Sequence, residues 1–96
     1  QRQMCIRDRA WFRAPSMVAP GAPVGIEWFG PDGAAFAIRL LSRDGSEVLA
    51  ERVLAGGLAE ADRLTLDAPG RRGKYLLRYL NVPTGEVLSE SVLTVR

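Results

Sequence analysis

Short apolar stretches, cut roughly every eight to twelve residues by Gly, Pro and Asp, constrain this chain more than any other feature. Val24, Ile26 and Trp28 alternate with Gly25, Glu27 and Phe29. Phe36, Ile38 and Leu40 alternate with Ala37, Arg39 and Leu41, and Tyr75, Leu77 and Tyr79 with Leu76, Arg78 and Leu80. Successive side chains of a strand point to opposite faces, so a period of two reads as strand, and almost no stretch carries the helical period. Strands are expected over residues 13–19, 24–29, 35–42, 47–54, 63–67, 75–80 and 86–95, the last interrupted at Ser89-Glu90-Ser91. Pro15 assigns the first to a sheet edge, where a missing N–H breaks no ladder bond. Residues 58–61 are expected to form one short helical turn. Asp32-Gly33 and Asp44-Gly45 read as turns, because Asp bonds its own backbone and Gly accepts positive φ. About seven strands in 96 residues make an all-β, immunoglobulin-like (fibronectin III-like) antiparallel β-sandwich.

Residues 1–9 stand apart. Gln1-Arg2-Gln3-Met4-Cys5-Ile6-Arg7-Asp8-Arg9 spells, residue for residue, the translation of a transposon-end adapter used in preparing sequencing libraries. It is therefore expected to be a disordered, non-native tail, and residues 10–96 a single sandwich module from a longer protein. Setting it aside removes Arg2, Arg7 and Arg9 against Asp8, so 13 basic and 11 acidic residues become 10 and 10. The net charge of +2 falls to zero, and with it the argument for a nucleic-acid partner. Cys5 goes as well, leaving no cysteine to report on redox compartment. No apolar run approaches the roughly 20 residues of a membrane-spanning helix, so no membrane span is expected in this fragment.

Trp28-Phe29-Gly30-Pro31, then Ala68-Pro69, Gly73-Lys74-Tyr75-Leu76-Leu77-Arg78-Tyr79 and Gly85-Glu86-Val87-Leu88, follow one another in a familiar order. The pattern resembles the β-sandwich module near the C-terminus of bacterial proteins that carry a von Willebrand factor A domain, and it covers residues 14–95. The resemblance implies an accessory domain of a periplasmic or extracellular protein. That family's metal site, D-x-S-x-S, belongs to the A domain and is absent here, so no metal or other cofactor carries over.

Catalytic chemistry finds few residue types to work with. There is no histidine, which removes Ser-His-Asp triads, imidazole shuttles and histidine-ligated zinc. Lys74 is the only lysine and reads as a solvated loop charge. Glu51, Glu60, Asp62 and Asp67 are spaced so that a carboxylate pair can be imagined across the fourth and fifth strands, but they fit no calcium loop and read as solvated faces. Gly70-Arg71-Arg72-Gly73 lacks the ending of a phosphate-binding loop and precedes a strand. The chain is therefore expected not to be an enzyme.

The remaining candidates are contact residues. Trp28, Phe36, Tyr75 and Tyr79 are assigned to the core, with Tyr75 set to form a tyrosine corner. Trp11 and Phe12 precede the first expected strand, and Phe29 lies on an outer face beside Glu27. Arg71, Arg72 and Lys74 form the one basic cluster left after trimming. These six define the expected interaction surface, reached through loops at one sandwich end or by strand addition at an edge. The expected function is a spacer or protein-interaction module, its partner an upstream domain of the same protein or another protein. The alternative is a carbohydrate-binding module using Trp11 or Phe29 as a sugar platform.

Overall fold

The computed structural model describes residues 10–30, 35–57 and 60–96. Eight strands run through them: β1 Trp11–Arg13, β2 Met17–Val18, β3 Pro23–Phe29, β4 Ala35–Leu41, β5 Val48–Ala55, β6 Asp62–Asp67, β7 Gly73–Asn81 and β8 Val87–Val95. They form a three-stranded sheet, β1-β3-β6, against a five-stranded sheet, β2-β8-β7-β4-β5. The all-β immunoglobulin-like sandwich is thus the fold. What was expected of residues 1–9, Asp32-Gly33 and the first half of the turn at 58–61 lies outside the described residues. No helix among the described residues is long and apolar enough to cross a membrane.

The eighth strand comes from one expected edge strand splitting in two. The chain enters the three-stranded sheet at Trp11, antiparallel to β3, leaves it at Ala14, and pairs Met17 and Val18 in parallel with the end of β8. Pro15 has no N–H, so a ladder cannot run through it, and the chain changes sheets there. The switch is fastened by two backbone hydrogen bonds, Thr94 N–H to the Ser16 carbonyl at 2.8 Å and Arg96 N–H to the Val18 carbonyl at 3.0 Å. β8 in turn is unbroken at 89–91. Ser89 and Ser91 are small enough to face inward opposite Tyr79 and Leu77, while Glu90 faces outward to Arg78.

The core fills from alternate residues of both sheets. Val24, Ile26, Trp28 and Leu66 meet Phe36, Ile38, Leu40, Leu77, Tyr79, Leu93 and Val95, all nearly or wholly buried. Its centre is aromatic. The Tyr79 ring lies 5.5 Å from Phe36, 5.8 Å edge-on from Phe12 and 6.5 Å edge-on from Trp28. Its hydroxyl donates to the Phe29 carbonyl at 2.7 Å, tying β7 to β3 across the sandwich. Burial pushes this phenol well above the ordinary tyrosine range. Tyr75, four residues earlier, donates its hydroxyl to the Arg71 carbonyl at 2.5 Å, which is the tyrosine corner the sequence anticipated.

Gly30 is held to glycine by its surroundings. A Cβ at this position would stand 2.5 Å from Phe36 Cε2 and 3.0 Å from Trp28 Cζ3, so the missing side chain is what lets both rings close over the backbone. Gly25, on the outer face of the same strand, has nothing within 4 Å of its Cβ position. Gly30→Ala is expected to lower stability by about 1–3 kcal/mol through overpacking. Gly25→Ala is expected to be neutral or to stabilise by up to about 1 kcal/mol, because it restricts the unfolded chain. Urea denaturation of the two variants side by side checks the contrast.

The β4–β5 hairpin turns at Arg43-Asp44-Gly45, with Gly45 at φ 77° and its N–H bonded to the Ser42 carbonyl at 2.9 Å. Asp44 Oδ1 accepts from the Ser46 amide at 3.0 Å and from the hydroxyls of Ser46 at 2.7 Å and Ser42 at 2.9 Å. Led by the Ser46 amide, these donors hold its carboxyl down at about 2 from an ordinary 3.8. A carboxyl depressed in the folded state stabilises fully above its unfolded pKa and loses that contribution as pH falls through the folded one. The thermal-midpoint difference between wild type and Asp44→Ala is therefore expected to be constant above about pH 5 and to shrink as pH falls from about 4 to 2. Paired melting curves across that range measure it.

Candidate interaction faces

The six residues singled out in the sequence do not form one surface. Trp11 and Phe29 are cross-strand partners on the outer face of the three-stranded sheet, their rings 6.4 Å apart and nearly parallel at 22°. Arg13, two residues along β1, carries its guanidinium 5.5 Å over the Trp11 ring and 3.7 Å from Glu27. Phe12 is turned the other way. Residues 11 and 12 belong to a strand rather than preceding one, so they face opposite sides. Phe12 is half-buried and packs against Tyr79. It belongs to the core and leaves the expected interaction surface.

Arg71, Arg72 and Lys74 are exposed on and beside the β6–β7 loop, at the far end of the sandwich from Trp11 and Phe29. Pro23, at that end of β3, pairs with Asp67, whereas Phe29 lies at the opposite end, roughly 20 Å away at strand rise. The basic loop faces Ser42, Arg43, Glu47 and Leu49 across an open groove. The carboxylates imagined as a pair are divided between sheets: Glu51 is on β5 and salt-bridged to Arg39, while Asp62 and Asp67 sit at the two ends of β6.

Beside the Trp11–Phe29 pair, the three-stranded face continues as a charged rung. Arg13, Glu27 and Arg63 lie side by side on β1, β3 and β6, because Arg13 registers with Glu27 and Glu27 with Arg63. The next rung is Gly25 opposite Thr65. With no side chain at Gly25, a groove of about 490 Å³ opens there, rimmed by Arg13, Glu27, Arg63 and Thr65.

The outer face of the five-stranded sheet was not anticipated, and it is the most organised surface of the molecule. Register aligns Glu51, Arg39, Arg78 and Glu90 in one rung across β5, β4, β7 and β8. Arg39 Nε meets Glu51 Oε2 at 2.5 Å and Arg78 Nε meets Glu90 Oε2 at 2.6 Å, so the signs run minus, plus, plus, minus. An apolar rung flanks it on each side: Val53, Ala37, Leu80 and Val87 toward one end, Val48, Leu41, Leu76 and Val92 toward the other. The middle of each apolar rung is shielded by its neighbours, with Ala37, Leu41 and Leu80 buried. The outer valines are open: Val53 is 67% exposed, Val48 51%, Val92 49% and Val87 40%. A signal for this face existed in the sequence. β4 and β7 are apolar on both faces, the pattern of strands covered on both sides.

No protein-family model matches the chain, and no curated protein matches it. Among solved structures it is similar to the sulfur carrier protein SoxY from Chlorobium limicola f. thiosulfatophilum, at 14% identity and a TM-score of 0.45, over 91% of this chain and 78% of that one. A likeness of that degree carries no argument about activity, and the functional reading rests on the faces themselves.

Proposed function

We propose that this chain is a non-catalytic accessory module of a larger bacterial envelope or secreted protein, and that its work is protein contact through the outer face of the five-stranded sheet. One observation carries the reading. Two apolar rungs with four half-open valines flank a rung of paired charges, so this face combines an apolar patch with fixed polar groups, as contact surfaces do. The exposed apolar area of this face lies at the four valines of β5 and β8 and at the partly open Leu76, because Ala37, Leu41 and Leu80 between them are buried. The bacterial envelope setting, periplasmic or extracellular, comes from the sequence resemblance alone.

The sugar-platform alternative asks for an open aromatic face. The Arg13 guanidinium already lies over the Trp11 ring, and Phe29 is half-buried beside it, so a saccharide would have to displace an existing cation–π contact. This favours the protein reading.

Photo-crosslinking residues placed at Val53 and Val92 in the full-length host protein test the proposal, with Arg71 and Thr84 as exposed loop controls. Adducts from positions 53 and 92, with few or none from 71 and 84, are expected. Adducts confined to the loop positions, or none from the sheet face, would overturn it.

A further inference from the structure

We propose that the groove between the β4–β5 hairpin and the β6–β7 loop binds a phosphate monoester carried on a ring or apolar body. The inference is independent of the contact face on the five-stranded sheet and gives the molecule a ligand of its own. Cations gather at this groove from both sides. Arg71, Arg72 and Lys74 come from the loop and the start of β7, and Arg43 from the hairpin turn, around a space of about 620 Å³. A space of that size suits one small ligand or headgroup. Among the described residues none of the four makes an ion pair, whereas the face arginines Arg13, Arg39 and Arg78 each hold a glutamate.

Charge selects the class of ligand. Among the described residues Glu47 is the one carboxylate lining the groove, so four positive charges face one negative, an excess of three. Asp44, in the same hairpin, is engaged by Ser42 and Ser46, and Asp67 lies on the outer face of the three-stranded sheet in line with Arg63 and Thr65. A carboxylate offsets one of the three charges, whereas a phosphate monoester, at about −1.5 to −2 near neutral pH, offsets more of them. Arginine forks also match phosphate oxygens in pairs, and Arg43, Arg71 and Arg72 are not taken up by any carboxylate among the described residues. The apolar lining selects what carries the phosphate. Leu49, Pro69 and Tyr75 line the same groove, so a ring or apolar body has a surface to lie on beside the cations.

Both walls are fixed by the fold itself. The Tyr75 hydroxyl holds the Arg71 carbonyl at 2.5 Å. The start of the loop is bonded to the β2–β3 turn, by Gly21 N–H to the Pro69 carbonyl at 3.1 Å and Ala68 N–H to the Ala22 carbonyl at 2.9 Å. Opposite, Ser42 N–H donates to the Glu47 carbonyl at 2.9 Å and Glu47 N–H to Ser42 Oγ at 3.1 Å, closing the hairpin. A loop already tied down gives up little conformational freedom on binding. Recognition is by side chains, which is why no backbone cradle of the phosphate-binding-loop kind is needed at residues 70–73.

Titration of the isotope-labelled 96-residue chain with phenyl phosphate, followed by amide chemical shifts, tests this. At low salt, saturable shifts are expected at residues 42–49 and 69–75, with a Kd of about 1 mM or tighter that weakens as salt rises. Inorganic phosphate and benzoate are each expected to bind at least about threefold more weakly, the first for want of a body and the second for want of charge. Arg71→Gln with Arg72→Gln is expected to weaken phenyl phosphate about tenfold and to leave the thermal midpoint unchanged, since both side chains are exposed. If that variant does not fold, as judged by circular dichroism, Arg43→Gln with Lys74→Gln takes its place. Vesicles of phosphatidylcholine with phosphatidate separate two sources of the same chemistry. Vesicle binding lost in the double variant assigns a lipid headgroup, and phenyl phosphate binding without vesicle binding assigns a soluble phosphorylated compound. Absence of saturable shifts, or shifts centred on other residues, would overturn the site. So would inorganic phosphate or benzoate binding as tightly as phenyl phosphate, or undiminished binding by the double variant.

Discussion

The bond from the Tyr79 hydroxyl to the Phe29 carbonyl is the constraint on which most of this structure depends. It crosses between the sheets at the point where Phe12, Trp28, Phe36 and Tyr79 converge, so it fixes the spacing of the sandwich where its largest side chains pack. Each aromatic contact adds roughly 0.5–1.5 kcal/mol beyond area burial, provided the rings keep their edge and offset geometry. The hydroxyl supplies that orientation. It also gives the carbonyl at the end of β3 a partner from the opposite sheet. Gly30 follows Phe29 directly, so the tethered carbonyl and the ring-covered glycine are one device. The chain is pinned at Phe29 and then passes under Phe36 where only glycine fits.

The charged rung on the five-stranded face answers a different requirement. Arg39 and Arg78 are directly opposed across β4 and β7, an arrangement that is unfavourable for bare like charges. Glu51 and Glu90 at the flanks neutralise both, and the exposed pairs contribute about 0.2–1 kcal/mol each. Net stabilisation of that size does not account for the arrangement. Its stronger consequence is positional. Arg78 lies along the face toward the hairpin, with Nη2 3.3 Å from the position a Cβ on Gly45 would take, so its aliphatic stem helps cover apolar neighbours while its head stays in water. The ion pairs thereby keep an apolar face soluble and give it a fixed polar register.

Strand identity was legible where one face alternates cleanly. β3, β4 and β7 were placed to within two residues or so, and their inward residues were assigned correctly, because a period of two over six or more residues leaves no other reading. Tyr75 was legible as a corner for the same local reason, its spacing from the turn. The misreadings share a cause. Splitting the first strand at Pro15, turning Phe12 inward and aligning Glu51, Arg39, Arg78 and Glu90 all depend on which strand lies beside which. That is a long-range fact set by the sandwich topology, which local periodicity does not encode. Trp11 and Phe12 were assigned to one surface but face opposite sides, since without knowing that residues 11–13 pair with β3 there was no alternation to apply.

The edges of the two sheets explain why association, if it runs through this molecule, belongs to faces. β1 has three residues and β2 has two, the latter bounded by Pro15 and Pro20. β6 carries Asp62, Arg63 and Asp67 among its six residues. β5 is the one long edge, and its pairing with β4 is broken by a bulge at Leu40/Leu41. Two copies of β5 meeting antiparallel about a twofold on Glu51 would oppose glutamate to glutamate, and about Arg52 arginine to arginine. Short length, proline, charge and bulges are the means by which natural sheets discourage strand addition, and each appears on an edge here. Strand addition, one of the two contact modes expected from the sequence, is thus opposed at every edge. The outer faces carry no such protection: one offers an aromatic pair beside a plus-minus-plus rung, the other valines around a rung of two paired charges. A sandwich blunted along its rims leaves contact to its broad faces rather than to sheet extension.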